Sequence, residues 1–298
     1  MNAEMVNLLA FTELYPDEES CVRHLEEARW HSDVRSPFTG GEVYHLKTRF
    51  LYKCKDTGKQ FSVRQGTIFE ESRLPLRKWF MALYILNSLK KGVSSIQLGK
   101  FLGVTQKTAW FMLQRIRYAV EHENYKSPLE GTVEIDETYM GGKHHGGKRE
   151  RGSDNKTPVL GIAKRDGGIH CEAVPNVKIR AAGLIIRENV KIGSTVNTDE
   201  YRIYPAVVGQ DFNHQVVNHR QGEYVRGKVH TNTVEGFWSH LKRGIKAIYI
   251  QVSKKHLNKY CKEYEFRYNT RKMSDFDRFC AWFTLCNGRL TYQTLIAA

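Results

Sequence analysis

The stretch Thr132-Val-Glu-Ile-Asp-Glu-Thr-Tyr-Met140 decides how the second half of the chain is read. Its β-branched and aromatic residues predict a strand. Side chains alternate between faces along a strand, so Glu134 and Asp136 share one face while Glu137 points away. Downstream, strand-like runs at 158–165, 168–174, 194–198 and 214–218 alternate with helical patterns over Lys178–Asn189, Asn232–Tyr249 and Lys254–Tyr268. That interleaving predicts an α/β domain, a mixed sheet with covering helices. Pro128 marks its start, so 128–298 is read as one domain.

Upstream the pattern changes. Over 75–127 it is helical: Pro75 suits a helix start, and Leu76–Lys90 repeats apolar residues at Trp79, Phe80, Leu83, Leu86 and Leu89. Ser95–Leu102 ends at Gly103, and Thr105 is a good cap for a longer helix over Thr105–Val120. There Trp110, Leu113 and Ile116 form an apolar stripe, and Gln106, Lys107 and Gln114 stay polar. A short helix, a glycine turn and a capped second helix match a helix-turn-helix, whose second helix reads base edges with its first residues. Those are Thr105, Gln106, Lys107 and Thr108; the plainer reading is a three-helix packing unit. Residues 1–74 form a small module, with a helix over Glu19–Arg29 and strand-like pieces at Glu42–Leu46 and Arg49–Lys53. Turns are expected at Gly40-Gly41 and Asp56–Gly58.

With 298 residues, 41% of them hydrophobic, the chain can bury a sizeable core. Its longest apolar run, Trp79–Leu86, is far below the roughly 18 residues a membrane span needs. Residues 1–20 carry five acids and no Lys or Arg, unlike a secretory signal. Six cysteines at 21, 54, 171, 261, 280 and 286 show no disulfide-like spacing, which predicts reduced thiols and a cytoplasmic protein. The net charge of +14 favours a polyanionic partner. It is concentrated in two runs: 239–259, with six Lys/Arg and no acid, including Lys242, Arg243 and Lys246, and Gly141–Pro158, with Lys148, Arg149 and Arg151. These are read as DNA phosphate contacts.

Three acids on unlike segments suggest metal chemistry. Asp136 sits on the strand above, Asp199 ends the run Ser194–Asp199, and Glu235 opens the helix Thr233–Lys242. Two Mg²⁺ ions ~4 Å apart can activate an attacking oxygen and stabilise a leaving one in phosphodiester cleavage. Mg²⁺ prefers oxygen ligands and keeps several waters, so two or three carboxylates suffice. Lys242, seven residues after Glu235, lies on the same helix face and is read as a phosphate contact. Asp199 is preferred to Glu200 because it directly ends the strand. Glu134 is left as an outer-shell or surface acid, and Asn232 as a helix cap or a metal neighbour.

The residues Glu134-Ile-Asp-Glu-Thr-Tyr-Met-Gly-Gly142, Asp199-Glu-Tyr, and His230-Thr-Asn-Thr-Val-Glu-Gly-Phe-Trp238 with Lys242 resemble bacterial insertion-sequence transposases of the DDE type. Within these they are most similar to the zinc-ribbon, ISXO-like branch. Thirty-five residues separate Asp199 from Glu235, and six separate Glu235 from Lys242. Gly66–Phe69, Ser72–Leu76 and Phe266–Asn269 add to a likeness spanning about residues 20–270. The resemblance implies a ribonuclease-H-like catalytic domain at 128–298 and Mg²⁺ dependence, with Mn²⁺ able to substitute. It implies metal ligation by Asp136, Asp199 and Glu235, a DNA contact at Lys242, and double-stranded DNA as partner, both terminal inverted repeats and target. Hydrolysis would be followed by strand transfer, with a homo-oligomer pairing two ends. One departure stands out. The family's ribbon carries two Cys-x-x-Cys pairs, but here they read Ser36-Pro-Phe-Thr39 and Cys54-Lys-Asp-Thr57. One cysteine cannot hold a structural zinc, so a degenerate, zinc-free ribbon is expected, packed through Trp30, Tyr44, Phe50, Tyr52 and Phe61. Rival readings are a related metal-dependent nuclease or integrase, and a decayed or repurposed helix-turn-helix DNA-binding protein.

Overall fold

The computed structural model describes residues 7–31, 33–46, 50–121, 127–141 and 156–297. The chain forms two compact units, Met1–His122 with Lys272–Ala298, and Glu123–Arg271.

The first unit begins with α1 (Leu8–Leu14), whose cap Asn7 accepts the amide of Ala10, and α2 (Glu18–Trp30), closed by a capping box between Asp17 and Ser20. Strands β1 (Val43–Leu46), β2 (Leu51–Cys54) and β3 (Gln60–Phe61) make an antiparallel meander. Trp30, Tyr52 and Phe61 pack on it, with Trp30 and Tyr52 centroids 5.3 Å apart. Tyr44, expected among them, is exposed, because its β1 position faces solvent.

Two tight turns bring Ser36, Thr39, Cys54 and Thr57 together. Gly40 N–H donates to Ser36 O, and Gly58 N–H to Cys54 O. Thr39 Oγ1 lies 3.6 Å from Cys54 Sγ. Hydrogen bonds from Ser36, Thr57 and Thr39 lower the fully buried Cys54 thiol to about 6. The positions compared above with paired cysteines thus converge, with hydroxyls in place of three thiolates.

Helices α3 (Leu76–Ser88), α4 (Ser95–Leu102) and α5 (Gln106–Glu121) follow. Pro75 precedes α3 as expected, but Leu89 falls beyond its end and is exposed. Ser94 caps α4, and Gly103 ends it in the left-handed region at φ 59°, which glycine adopts without a side-chain penalty. Gly99 allows the turn to close: a Cβ there would stand 3.0 Å from Val104 O. Thr105 Oγ1 accepts the Thr108 amide and caps α5. Gln114, expected on the polar side, is fully buried, as is most of the middle of α5. The buried Arg115 there ties loops together by donating to the carbonyls of Ile68, Glu70 and Leu290.

The second unit holds β4 (Thr132–Met140), β5 (Thr157–Lys164), β6 (Ile169–Ala173), α6 (Ile179–Asn189), β7 (Thr195–Thr198), α7 (Tyr204–Val208), β8 (Asn213–Val216), α8 (Asn232–Gly244) and α9 (Leu257–Asn269). The sheet order is β6-β5-β4-β7-β8, antiparallel from β6 to β4 and parallel from β4 to β8. The expected mixed sheet is present. Val133 and Ile135 pack with Ile186, Tyr204 and Val207 on the α6–α7 face. Met140, Val159 and Cys171 pack with Phe237, Trp238, Leu241 and Tyr264 on the α8–α9 face. The single helix expected over Asn232–Tyr249 changes at Gly244 into a π-helical turn, Ile245–Tyr249. Gly244 there passes so close to Tyr264 that a Cβ would overlap its hydroxyl. Helix α9 covers the outer edge of β6. Its Asn258, Glu265 and Asn269 side chains accept the amides of Ala173, Cys171 and Ile169, which closes an edge that would otherwise invite pairing.

The expectation that one domain runs from 128 to 298 is corrected by the last two helices, α10 (Asp275–Thr284) and α11 (Tyr292–Ala297), which belong to the first unit. Phe279 and Phe283 of α10 lie against Phe11, Tyr15, His24 and Phe80, and this aromatic cluster draws the C-terminal segment back. No helix among the described residues is long and apolar enough to cross a membrane.

Candidate active site

Strand pairing, more than sequence spacing, sets the acids. The parallel register matches Thr132 with Thr195, Val133 with Val196 and Glu134 with Asn197. Continued by two residues, it brings Asp136 level with Asp199, at the point where β7 ends. The chain turns there as Asp199 Oδ1 accepts the amide of Tyr201 at 2.9 Å. Burial, followed by the charges of Glu137 and Asp199, pushes the Asp136 carboxyl up to about 8. Two adjacent carboxylates in a partly dehydrated site resist simultaneous ionisation. Behind the strand, Glu137 accepts from the buried Tyr204 hydroxyl at 2.6 Å, and its charge adds to the field at Asp136.

Glu134, two residues earlier on the same face, has a different part. It is fully buried, and its carboxylate accepts from Thr233 N (2.7 Å), Thr233 Oγ1 (2.9 Å), Val234 N (3.2 Å) and Arg165 Nε (3.0 Å), with His230 Nδ1 at 3.2 Å. It satisfies amide donors at the first turn of α8, where a negative charge also suits the helix dipole. Arg165 in turn donates to the carbonyls of Lys228 and His230. The helix carrying Glu235 is therefore pinned to the strand carrying Asp136. Asn232, read as a cap or metal neighbour, is the exposed first residue of α8, and no side-chain cap bond is made at Thr231. The capping group comes instead from a residue about a hundred positions away, which no local pattern signals.

Trp238, expected as packing, also reaches the acids. Its indole Nε1–H donates to Asp136 Oδ2 at 3.0 Å. The ring lies over Gly161, the β5 residue paired with Asp136. A Cβ on Gly161 would stand 2.4 Å from Trp238 Cζ2 and 2.6 Å from Cη2.

Glu235 does not join the two aspartates. Its carboxylate is 45% exposed, accepts from Thr231 Oγ1 at 2.8 Å and lies 3.9 Å from His219 Nε2. Among the described residues, no group of three or more His, Cys, Asp or Glu could hold one metal ion. Asp136 thus feels the charge of Asp199, and Glu235 is bonded to Thr231. Glu200 takes the Arg220 guanidinium at 3.2 Å and the His219 amide at 3.0 Å, fixing the turn after β8. Lys242 and Arg243 in α8 and Lys246 in the π-helical turn are exposed, and Arg243 bonds back to Ser239.

In the first unit, Thr105, Gln106 and Lys107 are exposed at the start of α5. Gln106 Nε2 donates to Ser95 Oγ at 2.9 Å, and Lys107 Nζ lies 5.0 Å from the Tyr292 ring centroid. Lys148, Arg149 and Arg151 lie outside the described residues.

With this geometry in hand, comparison with known proteins is informative. The family model described as an ISXO2-like transposase domain matches residues 128–269, the strands and helices around the two aspartates. A Halobacterium salinarum protein described as an uncharacterized protein in transposable element ISH50 is 31% identical over 278 residues, covering 85% of this chain and 91% of its own length. A Haemophilus influenzae protein described as an uncharacterized transposase-like protein is 32% identical over 105 residues, covering 35% of this chain and 84% of its own length.

Proposed function

This chain belongs to the ISXO2-like insertion-sequence transposases, and from that premise we propose that it binds the terminal inverted repeats of its element and catalyses Mg²⁺-dependent DNA strand cleavage and strand transfer. The observation that carries this reading is the Asp136–Asp199 pair, set where the middle of β4 meets the end of its parallel neighbour β7, with burial and like charge pushing the Asp136 carboxyl up to about 8. Such a pair suits a divalent cation: hard oxygen donors in a field that positive charge relieves. Asp136 and Asp199 would hold it, and Glu235 would complete the set on leaving Thr231 and His219. A divalent cation held there would supply activation of the attacking oxygen and stabilisation of the leaving one.

The protein's own groups do the rest. Glu134 and Arg165 hold α8 against β4 and so keep Glu235 within one structural unit with the aspartates. Lys242, Arg243 and Lys246 bind backbone phosphate from the exposed side of α8 and its continuation. In the first unit, α4 and α5 act as a helix-turn-helix, with Thr105, Gln106 and Lys107 at base edges. The three-stranded sheet before it is a ribbon that keeps its shape through the hydroxyl–thiol cluster at Cys54 without zinc. The α/β unit acts as a ribonuclease-H-like catalytic domain, and two copies pair on the transposon ends.

The test is Mg²⁺-dependent cleavage and joining on DNA carrying the element's ends, with the unmodified protein and Asp199→Asn. Activity in the unmodified protein alone supports the reading. End binding without cleavage in either points to a DNA-binding protein that has lost its chemistry. Cleavage without joining points to a nuclease.

A further inference from the structure

Trp238 sits where a purely packing residue would suffice, yet it is placed to do more. Its ring is 4% exposed within the α8–α9 core, and its polar edge points at Asp136. A buried indole N–H normally finds an acceptor, and here the acceptor is a carboxylate of the candidate site. The placement depends on a second residue: only glycine at 161 leaves room for the six-membered ring, since any Cβ would meet it at 2.4–2.6 Å. Gly161 is also the cross-strand partner of Asp136, so the notch and the acid are aligned by strand register.

We infer that Trp238 is a positioning residue for the metal site: seated in the Gly161 notch, its N–H fixes the Asp136 carboxylate for divalent cation binding. This rests on the metal-dependent reading of the two aspartates. Groups that orient a metal ligand from outside its coordination sphere change metal affinity when removed, typically by about 10- to 100-fold. A ring that merely packs changes stability and leaves affinity alone.

The experiment is calorimetric titration of Mn²⁺ into the full-length, metal-free protein and into Trp238→Phe, Gly161→Ala and the double variant, with melting curves for each. Trp238→Phe keeps an aromatic ring and loses the N–H, so its Mn²⁺ affinity falls about tenfold. Gly161→Ala displaces the indole and gives a loss of similar size. The double variant binds no more weakly than Trp238→Phe alone, because phenylalanine has no atoms at the Cζ2 and Cη2 positions that the alanine crowds. Fluorescence supplies a readout on the unmodified chain. Of the five tryptophans, Trp30, Trp79, Trp110 and Trp282 belong to the first unit and Trp238 alone to the second. Mn²⁺ therefore changes the emission of the unmodified protein, and the change disappears in Trp238→Phe.

Unaltered Mn²⁺ affinity in both single variants, with only the melting temperature lowered, overturns the inference and returns Trp238 to packing. So does an unmodified protein that binds Mn²⁺ with no change in tryptophan emission. If the unmodified protein binds no Mn²⁺ and shows no metal-dependent cleavage, the reading of the site fails and the inference with it. If Trp238→Phe does not fold, Gly161→Ala and the emission of the unmodified protein decide the matter.

Discussion

Glu134 and Asp136 lie two residues apart on the α8 face of β4, and their surroundings treat a carboxylate in opposite ways. Glu134 is surrounded by donors: Arg165, the first-turn amides of α8 and the Thr233 hydroxyl. Two residues on, Asp136 has an indole N–H and a backbone N–H set against burial and the charges of Glu137 and Asp199, and its carboxyl rises to about 8. Sequence position does not separate them; neighbours do. A buried carboxylate with all its hydrogen bonds made is a structural joint, while one facing like charge is poised to gain a cation.

Removing the joint has the largest effect. Glu134→Ala strands the Arg165 guanidinium and uncaps α8, and is expected to cost about 3 kcal/mol in urea unfolding. A loss below about 1 kcal/mol would mean the α8 cap is dispensable, and the contrast between the two carboxylates would collapse.

Asp136→Asn works in the other direction. A carboxyl raised from 3.8 to about 8 contributes stability that is complete below pH 4 and is lost as the pH rises through 8. Asparagine cannot ionise, so the variant gains on the unmodified metal-free protein steadily as pH rises from 4 to 8. Saturating Mg²⁺ narrows the gap by stabilising only the protein that retains the aspartate. Parallel melting-temperature profiles for the two proteins from pH 4 to 8 would break this part of the account.

Tyr204→Phe, behind the strand, removes one donor from Glu137 and is expected to cost about 1 kcal/mol in the same unfolding assay. A variant as stable as the parent would show that the 2.6 Å bond adds nothing. The smallest expected effect is a control in the other unit. EDTA leaves melting of the Cys54 module unchanged, since hydroxyls stand where thiolates would ligate, and metal analysis of the purified protein finds no zinc. Stoichiometric zinc would contradict the hydroxyl–thiol cluster.

Much of this architecture was legible in local pattern. The alternation around Ile135 and the 3.6-residue repeats of α3, α5 and α8 announced the strands and helices that carry Asp136, Thr105 and Glu235. The features that distinguish Glu134 from Asp136 were not, because each comes from a distant partner. Glu134 meets α8 across about a hundred residues, Trp238 needs a glycine on another strand, and α10 returns to the first unit through aromatic contacts with α1, α2 and α3. Periodicity reports which side of an element is buried and is silent on what it is buried against. The Glu235 arrangement was hidden too, since helical periodicity does not say that Thr231, one turn earlier, donates to its carboxylate.

The most direct test is calorimetric titration of Mn²⁺ at pH 8 into the metal-free protein and into Asp136→Asn, Asp199→Asn and Glu134→Gln. Binding retained by the unmodified protein and Glu134→Gln, and lost in both aspartate variants, is the predicted result. Binding that survives unchanged in Asp136→Asn would contradict it.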